Sequence, residues 1–179
     1  MVIRFPKVKF TKWVYCHCIL GKHWDHKYKR VSHERTSAPL EIIHSDIYGP
    51  FNHMSMSQSK YFLTFIDEFS RYCWVYFLKH KSKVVYLFKV FKSLVENQSG
   101  RKLKILISDN GGEYVKYEFI QHCKYVGIQM QHYIPYTPQQ NGVAERKNIS
   151  LKEMTTCMME AKNFPPKFWF KAIKFSSYI

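Results

Sequence analysis

The hydrophobic pattern of the chain first predicts strands and then strands that alternate with helices. In the first half, three short runs rich in apolar, aromatic and β-branched residues are separated by polar loops. Runs of this length and composition are typical of β-strands. The predicted strands cover residues 40–47, 61–67 and 73–78. Because they follow one another so closely, they predict an antiparallel meander.

The second half of the chain has a longer hydrophobic period. Apolar residues recur every three or four positions between Val84 and Val95, which is the spacing of one helix face, and Ser99-Gly100 ends this helix. The pattern then predicts strands over residues 103–108 and 128–132, a helix over about 117–125, a long helix that ends near Ala161, and a last helix over 167–176. Strands that are grouped first and then alternate with helices predict an α/β fold, with a mixed sheet flanked by helices.

Residues 136–148 lead into the long helix. Pro138 and the Asn141-Gly142 pair favour a loop, after which the helix begins with Glu145 about one turn inside it. At helical spacing, a mostly apolar face comprises Val143, Lys147, Leu151, Met154 and Met158. A different face carries Glu145, Asn148 and Lys152. An acid, an amide and a cation together suit a metal-bound phosphodiester, and a solvated helix face is the alternative interpretation.

Charge adds a prediction about the partner. The 179 residues suffice for one core of ordinary size. The formal net charge is +15, from 28 Lys and Arg against 13 Asp and Glu. Such an excess favours a polyanionic partner, most commonly nucleic acid. No apolar run approaches the roughly 20 residues that a membrane span requires. The basic residues are interspersed with aromatics rather than set on one amphipathic helix, so we expect no membrane partner.

The cysteines raise the question of zinc. Five cysteines, an odd number in a basic chain, favour reduced thiols of an intracellular protein. Cys16 and Cys18 lie close to several histidines, which suggests a zinc site. A structural site usually separates its paired cysteines by two to four residues, whereas a single residue separates these two. Zinc binding by Cys16 and Cys18 is therefore doubtful from the spacing.

Three carboxylates fall where a mixed sheet can gather them. Asp46 lies toward the end of the first strand, Asp109 directly follows the fourth, and Glu145 is on the helix after the last. Neighbouring strand ends bring together residues that are far apart in sequence. Carboxylates are ligands for Mg²⁺, and two such ions about 4 Å apart can activate a nucleophile and stabilise a leaving oxygen. The alternative is that these acids are ordinary turn and capping residues.

Four sequence blocks closely resemble the integrase region of Pol polyproteins from copia-type LTR retrotransposons. They are LEIIHSD at 40–46, YFLTFIDEFSR at 61–71, SDNGGEY at 108–114 and PYTPQQNGVAERKN at 135–148. The resemblance implies an RNase H-like fold that carries two aspartates and, after 35 intervening residues, a glutamate. In this chain 35 residues lie between Asp109 and Glu145. The resemblance therefore implies a catalytic triad of Asp46, Asp109 and Glu145.

The resemblance also implies a reaction, metal-dependent transfer of a DNA strand. Asp46 and Asp109 would hold two Mg²⁺ or Mn²⁺ ions, with Glu145 completing the second site, while a 3′ hydroxyl of element cDNA attacks target DNA. The DNA contacts would come from the long helix and the loop before it, and the candidates are Gln139, Gln140, Asn141, Arg146, Lys147, Asn148 and Lys152. Two further acids are excluded from the triad. We expect Asp67 to be structural and Glu113 to sit at a helix start.

The resemblance also implies a division of the chain into three segments, and two alternative functions remain. Residues 1–39 would be a truncated zinc-module remnant with a basic linker, 40–162 the catalytic core, and 163–179 the start of a post-core helical segment. We expect a homo-oligomer and a nuclear location if the protein is functional. One alternative is a non-catalytic relic or DNA-binding remnant of an integrase. A second, less favoured alternative is an RNase H-like nuclease that cuts nucleic acid without joining strands.

Overall fold

A five-stranded mixed sheet with helices on both faces forms the centre of the molecule. The computed structural model describes residues 36–132 and 138–178. The strands are β1 (Ile42–Tyr48), β2 (Tyr61–Asp67), β3 (Cys73–Leu78), β4 (Ile105–Ser108) and β5 (Gln129–His132). The helices are α1 (Val84–Ser99), α2 (Tyr117–Tyr125), α3 (Pro138–Ala161) and α4 (Trp169–Ser176), and short 3-10 turns cover Lys81–Lys83 and Pro166–Phe168.

The strand order is β3-β2-β1-β4-β5. The first three strands pair antiparallel, as expected of a meander, and β4 and β5 are added in parallel to β1. The central strand β1 therefore has an antiparallel neighbour on one side and a parallel neighbour on the other. This arrangement confirms the α/β class and the mixed, RNase H-like sheet predicted from the sequence.

Each face of the sheet buries its own core, because alternate residues of a strand point to opposite faces. On β2, Leu63 and Phe65 join the core formed with α1 and α2. The rings of Phe65 and Phe91 stack there with centroids 4.2 Å apart. Phe62 and Ile66 point the other way and join the core formed with α3 and α4. The helices that follow the sheet are thus divided between its two sides.

The predicted loop at residues 139–142 is wrong. Helix α3 already begins at Pro138, so the backbone of Gln139, Gln140, Asn141 and Gly142 is helical. Proline is well tolerated in the first turn of a helix, because the N–H that it lacks has no partner within the helix at that position. The breaker residues therefore lie inside the first turns of α3 rather than before the helix.

The predicted apolar face of α3 is also displaced. The residues buried against the sheet include Ala144, Asn148, Leu151 and Thr155. Lys147 and Met158, which the sequence pattern placed on the apolar face, are only partly buried. Asn148 had been assigned to the ligand face, yet it is 1% exposed. The buried face is thus rotated from the predicted one and carries two polar residues.

The last helix packs against α3. Trp169 and Ile173 of α4 are buried in the same core as Ala144 and Leu151 of α3. The Trp169 indole also donates a hydrogen bond of 2.9 Å to the carbonyl of His53, which fixes the loop between β1 and β2.

Among the described helices, none is both long enough and apolar enough to cross a bilayer.

Candidate active site

Two aspartates come together at the carboxyl ends of β1 and β4. These strands are parallel neighbours, and Ser45 of β1 is paired with Ser108 of β4. Asp46 follows Ser45 on β1, and Asp109 directly follows the end of β4, so the two aspartates lie side by side at the same edge of the sheet. Both are partly exposed. The parallel register of β1 and β4 therefore brings Asp46 and Asp109 together, although they are distant in the sequence.

Helix α3 is attached to Asp46 by a buried hydrogen-bond chain. The Asn148 side-chain amide donates to an Asp46 carboxylate oxygen at 2.8 Å. The Thr64 hydroxyl donates to the Asn148 carbonyl oxygen at 3.0 Å. Thr64 faces Asp46 across the antiparallel β1–β2 pairing. Asn148 thus uses both ends of its amide inside the protein, and its predicted contact with DNA stays a prediction.

The electrostatics of Asp46 show that three carboxylates share this region. Burial raises the pKa of Asp46, and the charges of Asp109 and Glu145 raise it further, while the hydrogen bond from Asn148 opposes them. Glu145 is exposed and lies three residues before Asn148 on α3. A carboxylate whose ionisation is disfavoured by burial and by neighbouring negative charge is stabilised by a bound cation. The arrangement is therefore chemically suited to a divalent ion.

The turn after Asp109 brings in a fourth acid. The Gly111 N–H donates to an Asp109 carboxylate oxygen at 3.1 Å. A Cβ atom on Gly111 would lie 2.9 Å from a carboxylate oxygen of Asp109 and 2.9 Å from one of Glu113. Glu113 is 8% exposed and is paired with the Lys81 ammonium at 3.3 Å. Its predicted place at a helix start is wrong, since α2 begins only at Tyr117.

A buried tyrosine lies beneath the acids. Tyr114 is fully buried, and its hydroxyl is 2.7 Å from the Ser45 hydroxyl. Burial raises the pKa of Tyr114 well above its usual value, and the charges of Asp46, Asp109 and Glu113 act in the same direction. Sequence reasoning singled out neither Tyr114 nor Thr64. The available signals were a hydroxyl residue inside the apolar run of β2 and a large aromatic directly after the Gly-Gly-Glu turn.

The remaining residues singled out from the sequence are one buried acid, three basic residues of α3 and two cysteines. Asp67 is structural, as expected, because its buried carboxylate accepts hydrogen bonds from the backbone of Leu40 and from Ser70. Lys152 is exposed, and its ammonium lies 5.7 Å above the Tyr48 ring. Arg146 is exposed, and Lys147 is half-buried. The proposed zinc ligands Cys16 and Cys18 lie outside the described residues.

A complete metal site is not preformed in the described residues. Within 36–132 and 138–178, no three His, Cys, Asp or Glu side chains converge closely enough to hold one ion. This is compatible with Mg²⁺, which typically takes one or two carboxylates from the protein and fills its other positions with water and substrate phosphate. Asp46 and Asp109 supply such a pair, so the residues present fit the ion.

Sequence comparison identifies the family of this fold and site. The model of the integrase core domain matches residues 36–138. The chain belongs to the integrase core domain family. It is 43% identical over 163 residues, or 91% of its length, to the retrovirus-related Pol polyprotein from transposon TNT 1-94 of Nicotiana tabacum. It is 37% identical over 80% of its length to the corresponding polyprotein from transposon RE2 of Arabidopsis thaliana. The resemblance drawn from the four sequence blocks is thereby confirmed.

This integrase core matches only a small part of those relatives. It spans 12% of the tobacco polyprotein and 10% of the RE2 polyprotein.

Among solved structures, it is similar to a chain of the simian T-cell lymphotropic virus intasome in complex with a PP2A regulatory subunit. The TM-score is 0.65, with 22% identity over 91% of this chain and 56% of that one. The HTLV-2 integrase catalytic core domain in complex with magnesium gives a TM-score of 0.57, with 20% identity over 79% of this chain and 86% of that one. At these identities the similarity shows the fold.

Proposed function

We propose that this integrase core transfers DNA strands in a reaction that depends on Mg²⁺ or Mn²⁺. The observation that carries the proposal is the position of Asp46 and Asp109, side by side on parallel strands, with Glu145 close enough to raise the pKa of Asp46. In the proposed reaction, a DNA 3′ hydroxyl attacks a phosphodiester of target DNA, a new phosphodiester bond forms, and the displaced 3′ oxygen leaves.

Asp46, Asp109 and Glu145 are the residues that would hold the metal. When bound, divalent ions lower the pKa of the attacking hydroxyl and stabilise charge on the phosphate oxygens. Support comes from the donor set itself, since carboxylate oxygens are the protein ligands that Mg²⁺ prefers. The HTLV-2 core, which shares the fold, is described in complex with magnesium.

The remaining residues would position the carboxylates and the DNA. The Asn148 amide restricts the rotation of the Asp46 carboxylate, because it binds Asp46 and Thr64 at the same time. Lys152 and Arg146 are exposed on the same helix as Glu145 and are suited to binding phosphates. The net charge of +15 would attract DNA to this surface.

We also propose a homo-oligomer that brings two DNA ends together, and a nuclear location where chromosomal DNA is the target.

Reversal of strand transfer is the most direct test. A branched DNA that mimics the joined product is incubated with the protein and Mn²⁺ or Mg²⁺, and release of the joined strand is followed on a denaturing gel. We expect release by the natural sequence, and none by Asp109→Asn or Glu145→Gln. Glu118→Gln is the matched control, because Glu118 is an exposed helical glutamate on α2. Equal release by Glu145→Gln and the natural sequence would contradict the proposed triad.

A non-catalytic DNA-binding protein is the second candidate. The observation that favours it is the net charge of +15, which attracts DNA whether or not a metal is bound. This candidate predicts no strand release by the natural sequence in either metal, together with DNA affinity that Glu145→Gln leaves unchanged. DNA binding measured beside the release assay therefore separates the two functions.

A further inference from the structure

A groove lies between α3, the start of α4 and the loop that follows β1. We call it the α3–α4 groove; the residues used below are Phe51, Asn52, Lys152, Thr156, Asn163 and Phe164. Its volume is about 420 Å³, which lies in the range of roughly 300–1,000 Å³ that small-molecule sites occupy. Thr156 lies eleven residues after Glu145 on the same helix, or about 16 Å along its axis.

The groove has a rigid aromatic wall. Phe51 stacks on Trp169 with ring centroids 4.1 Å apart, and the hydrogen bond from Trp169 to His53 holds this pair in place. Phe164, which also lines the groove, is 54% exposed although it is a large apolar ring. The backbone N–H of Phe164 donates to the Met159 carbonyl at 2.9 Å, which holds the backbone that carries this ring at the end of α3. The groove therefore presents a fixed aromatic surface to solvent.

Polar and charged groups at the same groove favour a nucleotide over an apolar ligand. Asn52 and Asn163 offer amide donors and acceptors, as the edge of a base requires. The exposed Lys152 lies at the groove and extends over the ring of Tyr48, two residues after Asp46. Among the lining residues of the groove, Lys152 is the cation and Glu160 is the acid. A phosphate would meet a cation there, and a base would meet an aromatic ring.

We propose that the α3–α4 groove binds one unpaired nucleotide at the end of a bound DNA duplex. The base stacks on Phe164, and Lys152 contacts the phosphate between the groove and the carboxylates. This inference rests on the proposed function, because it assumes a DNA end at Asp46 and Asp109.

Equilibrium binding without metal tests the groove independently of catalysis. Fluorescence anisotropy of the full chain with EDTA would compare a blunt duplex, the same duplex with one unpaired 5′ or 3′ thymidine, and the same duplex with an abasic unpaired residue. We expect about tenfold tighter binding of one thymidine-bearing duplex, since stacking on an aromatic ring supplies a factor of this order. The two overhangs show which strand enters.

Variants of exposed residues assign the effect to the groove. Thr156→Trp fills it and Phe164→Ala removes the stacking ring, so each is expected to abolish the preference for the unpaired thymidine while blunt-duplex affinity is kept. Phe164→Tyr should retain the preference. Ser93→Trp is the matched control, because Ser93 is an exposed helical position on α1 outside the groove. Circular dichroism verifies that each variant folds.

The outcomes separate the groove from the proposed function. Equal binding of all duplexes by the natural sequence would overturn the nucleotide site and leave DNA strand transfer intact. Failure to bind any duplex would overturn both. A change in sedimentation of Thr156→Trp with an unchanged thymidine preference would identify the groove as a contact between protein chains, which also overturns the inference.

Discussion

The Asn148 amide lies 2.8 Å from the Asp46 carboxylate, although the two residues are 102 positions apart in the sequence. One residue comes from the central strand and the other from the helix that also carries Glu145. The hydrogen bond therefore sets the position of α3 relative to the sheet at the point where the carboxylates meet. Removing it tests whether the site depends on that attachment.

Asn148→Ala should lower the free energy of unfolding by about 2 kcal/mol, because it leaves the buried Thr64 hydroxyl without its Asn148 acceptor and removes a hydrogen bond to a carboxylate. Urea denaturation at neutral pH measures this change. Asn148→Asp should be more destabilising at neutral pH than Asn148→Ala, since it places a second negative charge beside Asp46. A loss of less than about 0.5 kcal/mol for Asn148→Ala would argue against the hydrogen-bond chain.

Asp46→Asn should stabilise the metal-free protein at neutral pH. The pKa of Asp46 is raised in the folded state, so its contribution to stability is greatest below its ordinary pKa near 4 and decreases as the pH rises through the folded value. The gain in Tm should therefore be present at neutral pH and absent near pH 4. Thermal unfolding in EDTA at both pH values measures it. A Tm decrease at neutral pH would contradict the like-charge cluster.

Divalent ions should raise the Tm of the natural sequence. A ligand that binds only the folded state at about 100 times its Kd stabilises by about 2.7 kcal/mol. The increase with Mg²⁺ or Mn²⁺ should be lost in Asp46→Asn and Asp109→Asn and kept in Glu118→Gln. Metal titration followed by thermal unfolding provides the measurement, without any need for activity. An increase that persists in Asp109→Asn would place the bound ion elsewhere.

Asp67→Ala should be destabilising by about 3 kcal/mol, because a buried carboxylate that accepts from Leu40 and Ser70 leaves these donors unpaired when it is removed. Ser70→Ala removes one of these donors and should cost about 1 kcal/mol. Urea denaturation compares the two variants. Metal-induced stabilisation should be unchanged in Ser70→Ala, since Ser70 belongs to the β2–β3 turn rather than to the carboxylate cluster.

Tyr114 should make the protein sensitive to alkali. Its pKa is raised well above 10, so its contribution to stability is complete below pH 10 and is lost as the pH rises toward the folded value. Tyr114→Phe should therefore show a smaller decrease in Tm above about pH 10 than the natural sequence does. Tyr125→Phe is the control, because Tyr125 is 90% exposed. Identical alkaline profiles for Tyr114→Phe and the natural sequence would contradict this account.

The sequence pattern predicts the bounds of strands and helices most accurately where the local signals agree with the fold. The bounds of β2, β3 and α2 match the predicted ranges, because apolar runs and turn residues are local signals. It was least successful at residues 138–148. There the breaker residues suggested a loop, and the buried face of α3 includes the polar Asn148 and Thr155.

The order of strands and helices, the basic charge and the spacing of Asp46, Asp109 and Glu145 along the chain follow from the sequence. The burial of Asn148 against Asp46, and the position of Glu113 beside Asp109 and paired with Lys81, depend on the packing of distant elements. Hydrophobic periodicity cannot identify a buried polar residue, because its burial is stabilised by partners that are distant in sequence. The partners of Asn148 meet only when β1 and β2 align and α3 packs against them.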